Sequence, residues 1–167
     1  IFTDNSGIAY GSNSRTWKAD DSAASNTSVF VHQFDSDTTH RIKLIQSSDQ
    51  ACMDSLTKTV VVYSAPSASF SVNDQEQCLR QNFYVLTNSS NIPKDTLRYN
   101  WDFGDAAFAN TKSTTHKYKN IGAYVIILTV TSEHNCVDTA QHPILVDPMP
   151  QVAFSVNDTG QCVNDHN

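Results

Sequence analysis

Displacing the sequence by 84 positions lays it onto itself without a gap. Trp17 falls on Trp101, Asp21 on Asp105, His32 on His116, Cys52 on Cys136 and Asp54 on Asp138. Pro66 meets Pro150, the run Phe70-Ser71-Val72-Asn73-Asp74 meets its own copy at 154–158, and Cys78 meets Cys162. Of the 83 overlapping positions, 23 are identical. Chance similarity in a Ser/Thr-rich chain would not bring both tryptophans and all four cysteines into register. A period of this length means copied units, each burying a small core of its own and stacked in line. In this frame residues 67–150 form one complete repeat. Residues 1–66 read as a repeat lacking its first strand, and residues 151–167 as the opening strand region of a third. The whole reads as a piece of a longer array.

Within the complete repeat the apolar residues recur with the period of a strand. Leu97, Tyr99, Trp101 and Phe103 lie on one face of Leu97-Arg98-Tyr99-Asn100-Trp101-Asp102-Phe103, and Gly104-Asp105 ends the run. Ala123–Thr131 is the most β-prone stretch and long enough for a central strand. Ala68–Val72, Asn82–Thr87 and Ile144–Val146 supply further strands, with Asn88-Ser89-Ser90-Asn91 as a turn. Short strands and frequent turns over such a length predict an all-β, two-sheet sandwich. A unit this small buries only about 60% of the surface of its unfolded chain, so a covalent staple would help it.

The charge balance narrows the function classes. The net charge is −6 with a pI near 5.3, and no Lys/Arg block stands anywhere. Nucleic acid and anionic membranes therefore have no electrostatic hold on it. No apolar run approaches the roughly 18 residues that a membrane helix requires.

Tyr99-Asn100-Trp101-Asp102-Phe103-Gly104-Asp105 resembles the W-D-F-G-D core of the PKD domain family. His116-Lys117-Tyr118, Gly122-Ala123-Tyr124 and Leu128-Thr129-Val130 are similar to the H-x-Y, G-x-Y and L-x-V elements that follow it, and Cys136-Val137-Asp138-Thr139 resembles the C-x-D-T of Bacteroidetes-type surface repeats. The resemblance spans residues 67–150. The first repeat departs from it: Trp17-Lys18-Ala19-Asp20-Asp21 keeps Trp17 and the last Asp but loses Phe and Gly, and Thr38-Thr39-His40 replaces Gly-x-Tyr. The resemblance implies tandem Ig-like, seven-stranded β-sandwiches used for extracellular spacing, adhesion or surface display, sometimes beside a secreted hydrolase. Physically, Trp17 and Trp101 read as core anchors between sheets. Asp102 and Asp105 read as turn-formers that accept local backbone N–H bonds.

The cysteines lie between the first two strands (Cys78) and just after the long central strand (Cys136). This placement leads to an expected Cys78–Cys136 disulfide, worth about 4 kcal/mol in the chain-entropy model and implying an oxidising compartment. Reduced buried thiols are the alternative, and a metal role is the weakest reading. Cys52 and Cys162 would then pair outside the segment or with neighbouring chains.

Catalytic signals are absent from the sequence. No G-x-S-x-G elbow or other nucleophile context accompanies the histidines. His32 and His116 share one repeat position beside an aromatic, Phe34 or Tyr118, and read as strand-end residues. His134, His142 and His166 follow no metal-ligand spacing. No cofactor is expected, and calcium is the one open ligand question, with Asn73-Asp74, Asn157-Asp158, Asp102 and Asp105 as oxygen donors. Asp54-Ser55-Leu56, Asp95-Thr96-Leu97 and Asp138-Thr139-Ala140 are similar to a bacterial D-[S/T]-small/apolar O-glycosylation motif, which makes Ser55, Thr96 and Thr139 candidate acceptors. Asp21-Ser22-Ala23 and Asp37-Thr38-Thr39 match it too. About five residues with Pro66, or with Pro148 and Pro150, join successive units, a length and composition that favour stiff connections.

The functional expectation is a non-catalytic structural repeat, in the stalk of a surface adhesin or the body of an extracellular filament. Its partners would be neighbouring repeats or identical chains end to end. The alternative is an accessory module of a secreted hydrolase that binds polysaccharide or protein, including host or surface glycans.

Overall fold

The computed structural model describes residues 1–7, 11–157 and 160. The described chain is all strand and turn apart from one short 3-10 turn, Leu79–Gln81. By backbone proximity it parts into two compact units. One comprises Ile1–Ser67, Ser90–Arg98 and Val130–Asp138; the other comprises Ala68–Ser89, Tyr99–Thr129 and the described part of 139–167.

The first repeat supplies β1 (Phe2–Thr3), β2 (Asn13–Ala19), β3 (Ser22–Ser25), β4 (Val29–Phe30), β5 (Thr39–Ser48) and β6 (Met53–Val61). They form a four-stranded sheet in the order β3-β2-β5-β6 and a two-stranded pair β1-β4. Asp20 and Asp21 turn the chain between β2 and β3 with φ of 47° and 66°, a conformation that Asp tolerates better than most residues. Trp17, Ala19, Phe30 and Ile42 are its buried centre, with Phe2, Phe34, Leu44 and Val60 packed around them.

The second repeat supplies β7 (Phe70–Val72), β8 (Glu76–Cys78), β9 (Tyr84–Asn88), β10 (Leu97–Asp102), β11 (Phe108–Ala109), β12 (Thr114–His116), β13 (Gly122–Ser132) and β14 (Val137–Asp147). A five-stranded sheet runs β11-β10-β13-β14-β8 and a three-stranded sheet β12-β9-β7. β11 is only two residues long. The alternation read in Leu97–Phe103 is an alternation of burial, with Trp101 and Phe103 buried and Arg98 and Asn100 exposed; Ile126, Leu128, Val130 and Ser132 of β13 point inward with the same period, as do Tyr84 and Leu86 of β9. Strand geometry sends successive side chains to opposite faces, so a period of two becomes an inner and an outer face.

Ile144–Val146 proves to be the end of a longer strand. Asn135, at φ 62°, closes a turn in which Ser132 N–H donates to the Cys136 carbonyl at 2.9 Å, and β14 then runs beside β13 from Val137. Pro143 interrupts the expected pattern but sits where β14 has a partner on one side only, because β8 pairs solely with Leu145–Asp147. Such an edge position tolerates a missing N–H.

The expected Cys78–Cys136 disulfide is not formed; Cys52, Cys78 and Cys136 are free thiols. β8 lies parallel to β14 with Cys78 opposite Asp147, the last residue of the strand, whereas Cys136 immediately precedes its first. A strand of 11 residues spans about 36 Å, and a disulfide needs Cα atoms within about 7 Å. The sequence placed both cysteines after strands but could not tell that β8 pairs with the far end of β14. Cys162, expected to pair outside the segment, and Asp158 lie outside the described residues.

Candidate functional site

The signature residues of the second repeat converge on the turn after β10 and form one connected cluster. Trp101 is fully buried, its indole N–H donates to the Thr111 carbonyl at 2.9 Å, and the Phe70 ring meets it edge-on at 4.9 Å. The buried ring thereby satisfies its one polar group, as a core tryptophan must. Asp102 accepts from Gly104 N–H at 2.9 Å, and Asp105 accepts from Ala107 N–H at 3.2 Å. Gly104 has φ +77°, and a Cβ there would stand 3.0 Å from the Val125 carbonyl oxygen. The turn therefore admits a side chain only with strain.

His116 closes the cluster. Its Nε2 lies 2.8 Å from Asp105 Oδ2, and its ring stacks on Phe103 at 4.0 Å and meets Tyr118 edge-on at 4.6 Å. The Tyr118 hydroxyl donates to the Phe103 carbonyl at 2.7 Å. Burial, reinforced by the Asp105 charge, pushes the Tyr118 hydroxyl far above the ordinary tyrosine range, so it stays a donor to that carbonyl. Tyr124 stacks on Tyr118 at 4.1 Å and donates to the Asn120 carbonyl at 3.1 Å, and Gly122 opens its strand, β13.

Asn82 completes the cluster, and no pattern in the sequence marks it. It is 4% exposed. Its amide donates to the carbonyls of Leu79 (2.7 Å) and Tyr118 (3.0 Å) and accepts from Tyr118 N–H (2.7 Å). A buried backbone segment outside a ladder needs such partners.

The first repeat builds the same frame with different polar groups. Trp17 donates to the Thr27 carbonyl at 3.0 Å, the bond that Trp101 makes 84 residues later. His32 meets Phe34 edge-on at 4.8 Å, and Phe34 stacks at 4.2 Å on His40 where Tyr118 stacks on Tyr124. The ion pair has moved. Asp20, at the position of Gly104, reaches His40 Nδ1 at 2.6 Å and accepts from Arg41 N–H at 2.8 Å. The Arg41 amide and then His40 hold the Asp20 carboxyl below its ordinary range, while Asp20 and the Ser36 carbonyl hold His40 above its own. Paired departures from the motif, Gly to Asp and Tyr to His, were the sequence signal for this bridge.

Of the oxygens considered for calcium, those of Asn73, Asp74, Asp102 and Asp105 take part in local hydrogen bonds. Asn73 accepts from Val85 N–H at 2.8 Å and donates to the Phe83 carbonyl at 3.0 Å, and Asp74 accepts from Glu76 N–H at 3.2 Å. Among the described residues no three His, Cys, Asp or Glu side chains gather in metal-binding geometry. Ser55, Thr96 and Thr139 are all exposed.

The sequence pattern of the PKD domain matches residues 63–146, half of the chain. The chain belongs to the PKD domain family. Its PKD repeat is similar to the PKD1 domain of the Vibrio cholerae metalloprotease PrtV, at 31% identity over 50% of this chain and 98% of that one, with a TM-score of 0.44. It is also similar to a microbial collagenase of Vibrio alginolyticus, 28% identical over 61% of the chain. Collagenase ColA of Clostridium perfringens is 37% identical over 36% of it. The chain spans only 12% and 5% of the lengths of these two collagenases. Among the described residues no helix is long and apolar enough to cross a membrane.

Proposed function

We propose that this chain is a non-catalytic extracellular structural repeat, a spacer in the stalk of a surface adhesin or in the body of an extracellular filament. The observation that carries the reading is that the signature groups of each repeat are consumed inside it. Trp101, Asp102, Asp105, His116 and Tyr118 bond to one another or to nearby backbone, and Trp17 repeats the indole bond of Trp101. Residues spent on holding a turn to a core make a durable unit, and durable units copied in line make a spacer. Extracellular placement is favoured by the similarity to collagenases, enzymes whose substrate lies outside cells. Negative-stain images of the native parent protein test the proposal: thin rods of uniform width support it, and compact particles would overturn it.

The similarity to collagenases also favours a second reading, an accessory module beside a secreted hydrolase that binds polysaccharide or protein. Exposed rings are available, but Phe108 belongs to the five-stranded sheet and Phe83 leads into the three-stranded one beneath the Lys117 ammonium. Saturable binding to insoluble collagen or polysaccharide, lost on Phe83→Ala or Phe108→Ala, would move the balance to this reading. Ser55, Thr96 and Thr139 are proposed as O-glycan acceptors, to be read by intact mass of native material.

A further inference from the structure

Tyr118 fixes the backbone on either side of it. It is 3% exposed, its hydroxyl donates to the Phe103 carbonyl, and the Asn82 side chain holds both its N–H and its carbonyl. Its neighbours Lys117 and Lys119 are exposed and take no part in that core. Both line one cleft of about 330 Å³ beside the turn after β10, together with Asp105, His116, Asn120 and Tyr124. That volume falls at the small end of clefts that hold a ligand, which run from about 300 Å³ upward.

The cleft is cationic in a chain whose net charge is −6. Among the described residues that line it, Asp105 alone is acidic, and its oxygens are engaged by Ala107 N–H at 3.2 Å and His116 Nε2 at 2.8 Å. The frame itself does not require this charge. In the first repeat Gln33 and Asp35 stand where Lys117 and Lys119 do, and Phe34 between them stacks on His40 as Tyr118 stacks on Tyr124. The core contact is kept while the charge around it is reversed. Within the first compact unit, Lys94 and His134 rest on Asp37 and Tyr63, whose counterparts 84 residues on are Ile121 and Asp147. Neither lines the cleft, so a copy of that contact further along the chain would leave it open.

We propose that this cleft binds a uronate residue of an acidic polysaccharide, with the sugar carboxylate paired to the Lys117 and Lys119 ammoniums. The ammoniums supply the attraction for a carboxylate. The rest of the lining favours a sugar over an acidic peptide. The exposed Asn120 amide offers a donor and an acceptor side by side for ring hydroxyls, and Tyr124 contributes an aromatic surface that a pyranose ring can cover. A peptide carboxylate would use the lysines alone. The signature residues keep their structural bonds throughout, and the ligand meets side chains that the frame leaves over. This names a ligand for the accessory-module reading and rests on it.

Calorimetric titration of the full chain with a short oligogalacturonate tests the assignment. The expected result is saturable binding that weakens between about 0.01 and 1 M salt, as the screening length falls from about 30 to about 3 Å, and that disappears when the sugar carboxylates are methyl-esterified. The double variant Lys117→Gln, Lys119→Asp carries the first repeat's own residues at these positions, so it should keep the wild-type circular dichroism spectrum. Its loss of positive charge at exposed positions should weaken binding by about tenfold or more. Should that variant misfold, Lys119→Ala alone carries the comparison, with a smaller loss in the same direction. No saturable binding, undiminished binding by the folded variant or to the ester, or equal binding of an oligoglutamate peptide would overturn the uronate site. The accessory-module reading would then still stand or fall by binding to insoluble collagen or polysaccharide through Phe83 and Phe108, which uses neither lysine.

Discussion

Two asparagines of the second repeat make comparable hydrogen bonds in unlike surroundings, and replacing each by alanine separates what burial contributes. Asn82 is 4% exposed and makes three bonds, at 2.7, 3.0 and 2.7 Å, to the backbone of Leu79 and Tyr118. Asn73 is exposed and makes two side-chain bonds, at 2.8 and 3.0 Å, to the backbone of Val85 and Phe83. At about 1 kcal/mol net per bond, Asn82→Ala should cost about 3 kcal/mol, more if the stranded Tyr118 amide and carbonyl find no water. Asn73→Ala should cost less than about 1 kcal/mol, because solvent takes over both partners. Urea unfolding followed by Trp101 fluorescence, in a Trp17→Phe background so that one repeat is read, gives the comparison. With a slope of about 1.5 kcal/mol per M, the midpoint should fall by about 2 M for Asn82→Ala and by less than about 0.7 M for Asn73→Ala. Equal shifts for the two variants would refute the reasoning, since burial would then decide nothing.

Gly104→Ala should cost about 1–2 kcal/mol for the left-handed backbone, which lowers the melting temperature by about 4–8 °C per kcal/mol for a unit of this size. Gly104→Asp should cost less, because Asp20 holds the same turn position in the first repeat at φ 47°. The Asp20–His40 pair predicts a pH window. The raised His40 stabilises fully below its ordinary 6.5 and loses the effect as pH climbs through its folded value; the lowered Asp20 stabilises above its ordinary 3.8 and loses it as pH falls through its own. The melting-temperature gap between wild type and His40→Gln should therefore be widest between about pH 4 and 6.5 and narrow on either side. Native alkylation followed by peptide mass mapping should label the exposed Cys52 and Cys78 faster than the half-buried Cys136; a peptide cross-linking Cys78 to Cys136 would contradict the register of β8.

How much was legible follows from where each feature is written. Leu97 to Trp101 announces its strand because inside and outside alternate between consecutive residues, and Ala123 to Thr131 announces its own by an unbroken run of β-prone residues. The burial of Trp101 and the turn at Gly104 lay within a few residues of each other, and they stand as read. Val137–Pro143 carried no apolar alternation, so the first half of β14 was invisible: that segment is a strand because the Ser132–Cys136 turn lays it beside β13. Asn82 was invisible as well, since a polar residue before an apolar strand looks the same whether it faces water or props up Tyr118.

From the sequence alone come the period of 84, the strand character of each unit, the membership of Trp17 and Trp101 in equivalent cores, and a spare copy of the opening strand. These are local or translational facts, and a linear string records them. Only the tertiary structure decided that the two cysteines flank opposite ends of β14 and that the acid–histidine bridge changes place between repeats. Each depends on which strand lies beside which and in what direction. That choice is made by the packing of the whole unit, because a strand's hydrogen bonds and one of its faces are completed by residues far away in the chain.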